Sequence, residues 1–388
     1  MLRRHTPVAL MAAAAIVSLS AAATACPFCS APSLTFSEQV SQSDAVVLVK
    51  WKDGKKSDGR LPGSTTYEVS EIAKGSQATL KKGKDVVLAR FRPGKKGDLF
   101  LLLGTRAVNV EWGTPVEVSS ASYKYIAGAP HPKKPAAERL KYFLQYLEFP
   151  DDVVSNDAYA EFANAPYKDI AKLAKDLPRE RIRKWIASSD TAPTRLGLYG
   201  LLLGLCGKAD DAKLMEKKIL EKSSDYRLGI EGVMSGYLML TGEKGLKVLE
   251  DAKLKDEKVA FSETYAAMQA IGFIWDYAPG KIKQARLRKS MRILLNRPTT
   301  ADLVIANLAR WKDWGIQPQL MKLYDDKEYN IPAVKRAIVR FLLVCSKDMK
   351  EGTPPEKEPP HVKQAKTNLA TLRNKDPKTV RDAERFFL

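Results

Sequence analysis

One heptapeptide occurs twice and decides the fold: Arg-Leu-Gly-Leu-Tyr-Gly-Leu at 195–201 and Arg-Leu-Gly-Ile-Glu-Gly-Val at 227–233. Gly204 and Gly236 extend the match, and the offset is 227 minus 195, or 32 residues. A weaker echo, Ala-Ala-Met-Gln-Ala-Ile, lies at 266–271. Periods in the thirties are typical of stacked helix pairs, since one pair cannot bury its apolar face alone. The repeat therefore predicts an α-solenoid, with a chance match as the alternative.

Glycines recur at every third or fourth position inside the repeated helix. Each costs about 1 kcal/mol relative to alanine in a helix interior. That cost is tolerable where a face of small residues lets a neighbouring helix come close. We therefore expect a neighbouring helix to approach closely at these glycines.

Helical spacing of apolar residues extends the array over 137–348, and prolines separate the predicted helices. Four tryptophans occupy apolar helical positions and are expected in the core: Trp185, Trp275, Trp311 and Trp314. Residues 135–348 resemble HEAT-type or armadillo-like repeats in spacing and in their paired amphipathic helices. The resemblance implies a binding surface rather than an active site.

Short β-rich runs precede the array, separated by glycine and proline turns. They lie at 45–49, 65–69, 85–91, 98–103, 116–118 and 123–126. This spacing predicts a small all-β barrel or sandwich within a domain over 26–128. The fold class is thus multidomain α+β, with the β domain first and the HEAT-like solenoid second.

The β region is also similar to netrin- or TIMP-like modules of the OB-barrel type. The likeness rests on Cys26, on the Tyr67-Glu68-Val69 segment and on the strand at 97–102. The chain has Cys-x-x-Cys where that family has Cys-x-Cys, and it lacks the partner cysteines. Metalloprotease inhibition is therefore not implied.

Proline-rich stretches mark the predicted boundaries. We expect linkers at 129–136 and 349–361, followed by a helical cap over 362–388. A free amphipathic arm is the alternative for this last segment.

The first residues predict export. Arg3 and Arg4 precede an apolar run at 8–23, and Ala23-Thr24-Ala25 is a small-x-small cleavage pattern. We expect a signal peptide over 1–25 and a periplasmic, cell-surface or secreted protein beginning at Cys26. An uncleaved anchor and a lipid anchor on Cys26 are the alternatives. No later segment is apolar over the ~18 residues of a membrane span.

Cysteine usage gives one local motif, Cys26-Pro27-Phe28-Cys29, which matches the active-site type of glutaredoxin-like oxidoreductases. Those enzymes place the motif between a strand and a helix N-terminus, and no strand precedes it here. We therefore expect a structural disulfide, with lipidation and a metal or redox role as alternatives. Cys206 and Cys345 lie on apolar helical faces and are expected to pack as small hydrophobes.

The sequence contains three histidines, and none lies in the body of either predicted domain. This excludes histidine-dependent nucleophilic catalysis and most zinc sites. Asp157 and Glu161 stand four residues apart, as a hydrolase acid and base could. We interpret them instead as acids at a helix start, where the helix dipole favours negative charge.

The formal net charge is +19, which favours an anionic partner or surface. Two basic clusters are candidate anion-binding sites: Lys81, Lys82, Lys84, Arg90, Arg92, Lys95 and Lys96, and Lys281, Lys283, Arg286, Arg288 and Lys289. Plain solvated faces are the alternative. No nucleic-acid module is recognisable.

Two functions stay open. The first is a non-enzymatic scaffold that holds a protein or an anionic envelope polysaccharide without a cofactor. The second is an extracytoplasmic thiol–disulfide oxidoreductase that uses Cys26 and Cys29.

Overall fold

A computed structural model describes residues 26–29, 34–76, 80–106, 109–221 and 226–385. The predicted signal peptide lies outside these residues. The β region is an antiparallel near-barrel over 45–117. Its strands are β1 (Ala45–Lys55), β2 (Ser64–Lys74), β3 (Asp85–Leu88), β4 (Leu99–Thr105), β5 (Glu111–Trp112) and β6 (Val116–Glu117). The sheet order is β3-β2-β1-β4-β5, and β6 also pairs with β4.

The central strand β1 is buried on both of its faces, which explains its uninterrupted apolar run. Val47 points into a small core with Tyr67 and Phe100. Val46 and Leu101 point the other way and join the core of the helical region. The near-barrel is thereby packed against the helices through alternate residues of the same strands.

Helices make up the rest of the chain. The first group is α1 (Phe36–Gln42), α2 (Ser120–Gly128), α3 (Ala136–Phe143), α4 (Asp152–Asn164) and α5 (Tyr167–Ala171). The second is α6 (Arg179–Ala187), α7 (Pro193–Cys206), α8 (Ala209–Leu220), α9 (Ile230–Thr241), α10 (Glu243–Leu249), α11 (Phe261–Tyr277) and α12 (Gln284–Ile293). The last is α13 (Ala301–Arg310), α14 (Gln317–Asp325), α15 (Pro332–Ser346), α16 (Pro360–Lys375) and α17 (Pro377–Glu384).

Helices α6 to α15 alternate between two rows, so this part of the chain is a solenoid of helix pairs. We call α6, α8, α10, α12 and α14 the A helices, and α7, α9, α11, α13 and α15 the B helices. B helices pack on one another, α7 on α9, α9 on α11 and α13 on α15. The tail helices α16 and α17 pack on α15.

The repeated glycines lie where α7 meets α9, as the sequence predicted. A Cβ added to Gly200 would lie 2.5 Å from the Cα of Val233. A Cβ on Gly232 or Gly236 would strike the backbone of Gly197 or Gly200. The two helices therefore touch backbone to backbone.

The two copies of the repeat differ at their starts. The first copy is helical throughout. In the second, Gly229 has a φ of +81° and lies in a turn, so that α9 begins only at Ile230. A positive φ is accessible to glycine without strain, which permits this late start.

One predicted strand is wrong. Residues 123–126 belong to helix α2, because Ser119 caps the helix through the Ser122 amide. Tyr125 and Ile126 are buried in the helical core. The alternation Tyr-Lys-Tyr-Ile suits either structure, and packing selects the helix.

Helix α1 was not predicted. Thr35 and Glu38 form a capping box at its start, a signal that the sequence carries openly. Within the described residues, no helix is long and apolar enough to cross a membrane.

Candidate functional site

The disulfide between Cys26 and Cys29 is confirmed. The Cys26 amide donates to the Ala163 carbonyl at 3.1 Å, and the Phe28 ring lies 5.2 Å from that of Phe273. The segment is thus seated on α4 and α11, not on the near-barrel. Cys26 is 4% exposed. A lipid thioether and this disulfide would use the same sulfur, so one molecule carries only one of them.

A first cavity, of about 280 Å³, opens beside this segment between α11 and α13. Helix α11 lines it with residues that share one face, among them Gln269, Gly272 and Asp276. Asn307 and Arg310 line it from α13. We call this the α11–α13 cavity.

A second cavity, of about 420 Å³, lies between α13 and α15. Its wall is mostly apolar and includes Leu303, Ala337 and Phe341. Three arginines also line it: Arg310, Arg336 and Arg340. We call it the α13–α15 groove. Since Arg310 lines both cavities, together they form one surface across three B helices.

Two of these arginines lack acidic partners. Within the described part of the chain, the side chains of Arg336 and Arg340 make no hydrogen bond and no ion pair. The Nε atom of Arg340 is buried without an acceptor there. The two residues are four apart on α15, so their side chains lie on the same face of that helix. Asp302 also lines the groove but pairs with neither arginine within the described residues, so the groove combines apolar surface with two arginines that lack an ion pair.

The predicted solenoid cluster lies on the A-helix side, and its arginines are engaged by neighbours. Arg286 pairs with Glu250 of the π-helical turn after α10, at 2.5 and 2.8 Å. Arg288 donates to the Trp311 carbonyl and stacks on Trp275, 5.3 Å from its ring centroid. Burial would raise the pKa of the Glu250 carboxyl, but its hydrogen bonds, with Arg286 foremost, hold that pKa low.

The lysines of this cluster, Lys281, Lys283 and Lys289, are exposed. Lys289 and Arg286 line a third cavity together with Lys247 and Lys255. These last two lysines both pair with Asp251. Most positive charge in this cavity is therefore balanced within the protein.

The other predicted cluster lies on the near-barrel. Lys81, Lys82, Lys84, Arg90, Lys95 and Lys96 are exposed there. Arg90 donates to the Thr114 hydroxyl at 2.9 Å. Arg92 is half-buried, 5.8 Å from the centroid of the Phe100 ring. Anion binding by either cluster stays a prediction.

The interpretation of Asp157 and Glu161 as helix-start acids is wrong. Helix α4 begins at Asp152 with Asp151 as its cap, and both acids lie deeper in the helix. Asp157 is 8% exposed and Glu161 is 1% exposed. Both carboxylates are buried where α4 meets neighbouring helices. They bond to groups of those helices and do not cap the first turn of α4.

Their partners show this role. Asp157 accepts from the Phe36 amide and from the Tyr125 hydroxyl, each at 2.7 Å. Glu161 accepts from the Ser37 hydroxyl and pairs with Arg139. Burial raises the pKa of Asp157 to about 6 despite the two hydrogen bonds.

Cys345 is buried, as expected, and Cys206 is half-buried. Burial raises the pKa of both thiols, to about 11 for Cys206 and about 12 for Cys345. No group of histidines, cysteines and acids in the described residues could hold a metal ion.

Sequence reasoning missed Arg336 and Arg340 because it looked for dense charge. A signal was present: two arginines one helical turn apart, with Ala333 and Ala337 on the same face. Their lack of acidic partners depends on tertiary structure. Comparison with known proteins adds no assignment, since no family model, curated protein or solved structure matches this chain.

Proposed function

We propose that this protein is an exported, non-enzymatic scaffold whose HEAT-like B-helix surface holds a segment of a partner protein. The α13–α15 groove is the binding site, and the segment is both acidic and apolar. The near-barrel, similar to an OB-type module, is the second folded part of the scaffold.

The carrying observation is a pair of arginines without ion pairs in a mostly apolar groove, whose lining also includes one acid, Asp302. Arg336 and Arg340 are half-buried, so their charges are less screened than those of surface lysines. Guanidinium groups bind carboxylates through two parallel hydrogen bonds. A segment with glutamate or aspartate beside leucine or phenylalanine satisfies the arginines and fills the apolar part of the groove.

A protein segment is favoured over a polysaccharide by the lining. A polyanionic sugar chain would use a row of exposed cations, whereas the groove wall includes buried Phe341 and half-buried Leu303 and Ala337. Such apolar surface contributes to binding by leaving water.

The test uses a short fluorescein-labelled peptide of alternating glutamate and leucine, with polygalacturonate as a sugar competitor. The double variant Arg336→Gln/Arg340→Gln should raise the Kd of the peptide at least tenfold, about 1.4 kcal/mol. The matched control Lys283→Gln/Lys289→Gln makes the same charge change in the solenoid cluster and should alter the Kd less than about twofold.

Equal weakening by both double variants would show attraction to net charge alone and would overturn the proposed site. Displacement of the peptide by polygalacturonate at lower concentration than by unlabelled peptide would favour a polysaccharide partner instead.

Export has its own test. N-terminal sequencing of the native protein should give Cys26 as the first residue. An intact Met1 would contradict export by a cleaved signal. A diacylglyceryl mass on Cys26 would indicate a lipid anchor in place of the disulfide.

A further inference from the structure

Gly272 lies in the middle of α11 without a packing reason. A Cβ added there would meet no atom within 4 Å, whereas Gly232 and Gly236 of α9 touch backbone. Glycine destabilises a helix interior relative to alanine. The space in front of Gly272 is the α11–α13 cavity. A glycine at this position exposes the helix backbone to whatever occupies the cavity.

Two opposite charges, both exposed to solvent, line this cavity without forming an ion pair with each other. Asp276 lines it from α11 and Arg310 from α13. No ion pair between them, and no hydrogen bond to Asp276, occurs within the described residues. Burial raises the pKa of the Asp276 carboxyl, while the positive charge of Arg310 lowers it. The two groups are therefore near enough to interact but too far apart for contact.

The remaining lining includes both polar and aromatic side chains. Gln269 and Asn307 contribute side-chain amides, and Asn307 already accepts from Arg310. The aromatic lining consists of Phe28, Tyr265, Phe273 and Tyr277. The cavity is close in size to the lower end for small-molecule sites, roughly 300 Å³. Convergent polar groups on an apolar wall are typical of such sites.

We propose that the α11–α13 cavity binds a small zwitterion of amino-acid size. Its ammonium group contacts Asp276, its carboxylate contacts Arg310, and its backbone lies over Gly272. A simple amine would leave Arg310 beside a second positive charge, and a simple anion would meet Asp276. A ligand that carries both charges pairs with both residues at once. This inference does not depend on the scaffold function. Arg310 lines both cavities, but the zwitterion also needs Asp276 and Gly272, which do not line the groove.

The experiment is calorimetric titration of the disulfide-bonded protein with the twenty free amino acids. At least one should bind. For each that binds, the methyl ester lacks the carboxylate and the N-acetyl derivative lacks the ammonium group. Each derivative should bind at least roughly tenfold more weakly, since each loses one charge-assisted contact.

Variants assign the site. Asp276→Asn keeps the shape and removes the charge, and Gly272→Leu fills the open space. Both should abolish amino-acid binding. Their matched controls are Asp382→Asn, on exposed α17, and Gly315→Leu, where an added Cβ also meets nothing within 4 Å. The controls should bind as the unmodified protein does.

Binding of the Glu/Leu peptide separates this proposal from the scaffold function. Gly272→Leu should leave peptide binding unchanged, which also shows that the variant is folded. Absence of binding by all twenty amino acids would overturn the proposal. A methyl ester that binds as tightly as its parent would also overturn it, because the site would then read an ammonium group alone, such as the N-terminus of a peptide.

Discussion

The α7–α9 interface and the α11–α13–α15 surface belong to one solenoid but differ in how tightly their helices pack. At the first, glycines bring two backbones into contact. At the second, cavities of about 280 and 420 Å³ lie between the helices. The repeat sequence is clearest where the structure is closed and weakest where it is open. The repeated sequence therefore marks the tightly packed α7–α9 interface. The surface suited to a ligand lies where the repeat has diverged.

Arginines in the two regions also differ in whether the protein supplies their hydrogen-bond partners. Arg195, at the start of α7, is 8% exposed and donates to the Leu147 carbonyl, the Ser155 hydroxyl and the Asn156 side chain. Arg340 on α15 makes no such bond within the described residues. The same residue type is thus structural at one end of the B-helix row and available at the other.

The largest expected effect on stability comes from inserting a methyl group into the glycine contact between α7 and α9. Gly236→Ala places a Cβ against the Gly200 carbonyl and forces α7 and α9 apart. The free energy of unfolding should fall by about 3 kcal/mol, at the upper end for overpacking. Urea denaturation measures this change. A loss below about 0.5 kcal/mol would mean that the contact can relax, and the contrast between the two regions would lose its basis.

The next effect compares the two kinds of arginine. Arg195→Met keeps an apolar stem but leaves buried acceptors without a donor, which should cost about 2 kcal/mol. Arg340→Met should change the free energy of unfolding by less than about 0.5 kcal/mol. Both values come from the same denaturation experiment. Similar losses for the two variants would contradict the assignment of Arg340 to ligand binding.

The buried carboxyl of Asp157 adds a pH test in the closed part of the molecule. Its pKa in the folded protein, about 6, lies above its ordinary value. The folded state therefore binds this proton more tightly than the unfolded state does. Stability from this group is fully present below about pH 4 and is lost as the pH rises through about 6, by about 3 kcal/mol in all.

Asp157→Asn mimics the protonated carboxyl and should remove that part of the pH dependence. The measurement is the difference in unfolding free energy between the variant and the unmodified protein at several pH values. A difference that stays constant between about pH 4 and pH 6.5 would contradict the raised pKa.

The smallest effect is a gain. Gly272→Ala adds a methyl group in open space and improves the helix propensity of α11. The free energy of unfolding should rise by about 0.5–1 kcal/mol. Opposite signs at Gly236 and Gly272, two glycines inside B helices, would establish that only the first is required for packing. A loss at Gly272 would instead show that the cavity is already filled or collapsed.

Local signals predicted the fold well wherever one pattern sufficed. The glycine repeat predicted close approach of a neighbouring helix, and the apolar run at 45–49 predicted a strand. They failed where tertiary contacts decide. Tyr125 is helical because it donates to Asp157 of α4, a residue 32 positions away. The Asp157 carboxyl is buried because α1 covers it, and α1 was not foreseen despite its capping box.

The candidate site was harder to foresee for a similar reason. Charge density pointed to Arg286 and Arg288, and the structure gives both of them partners. An arginine matters for binding when the protein leaves it without a partner, and that property depends on all its neighbours. Residue type and spacing alone do not carry this information.

The backbone contact between α7 and α9 also governs how the molecule would bend under load. Side chains adjust by changing rotamers, but two backbones in contact have nothing left to compress. This joint is therefore the stiffest in the B-helix row, and strain from a pull on the two ends would concentrate near α11 and α13, where a cavity leaves room to move. We therefore expect the early helices to move as one block and the segment around α11 and α13 to deform more easily.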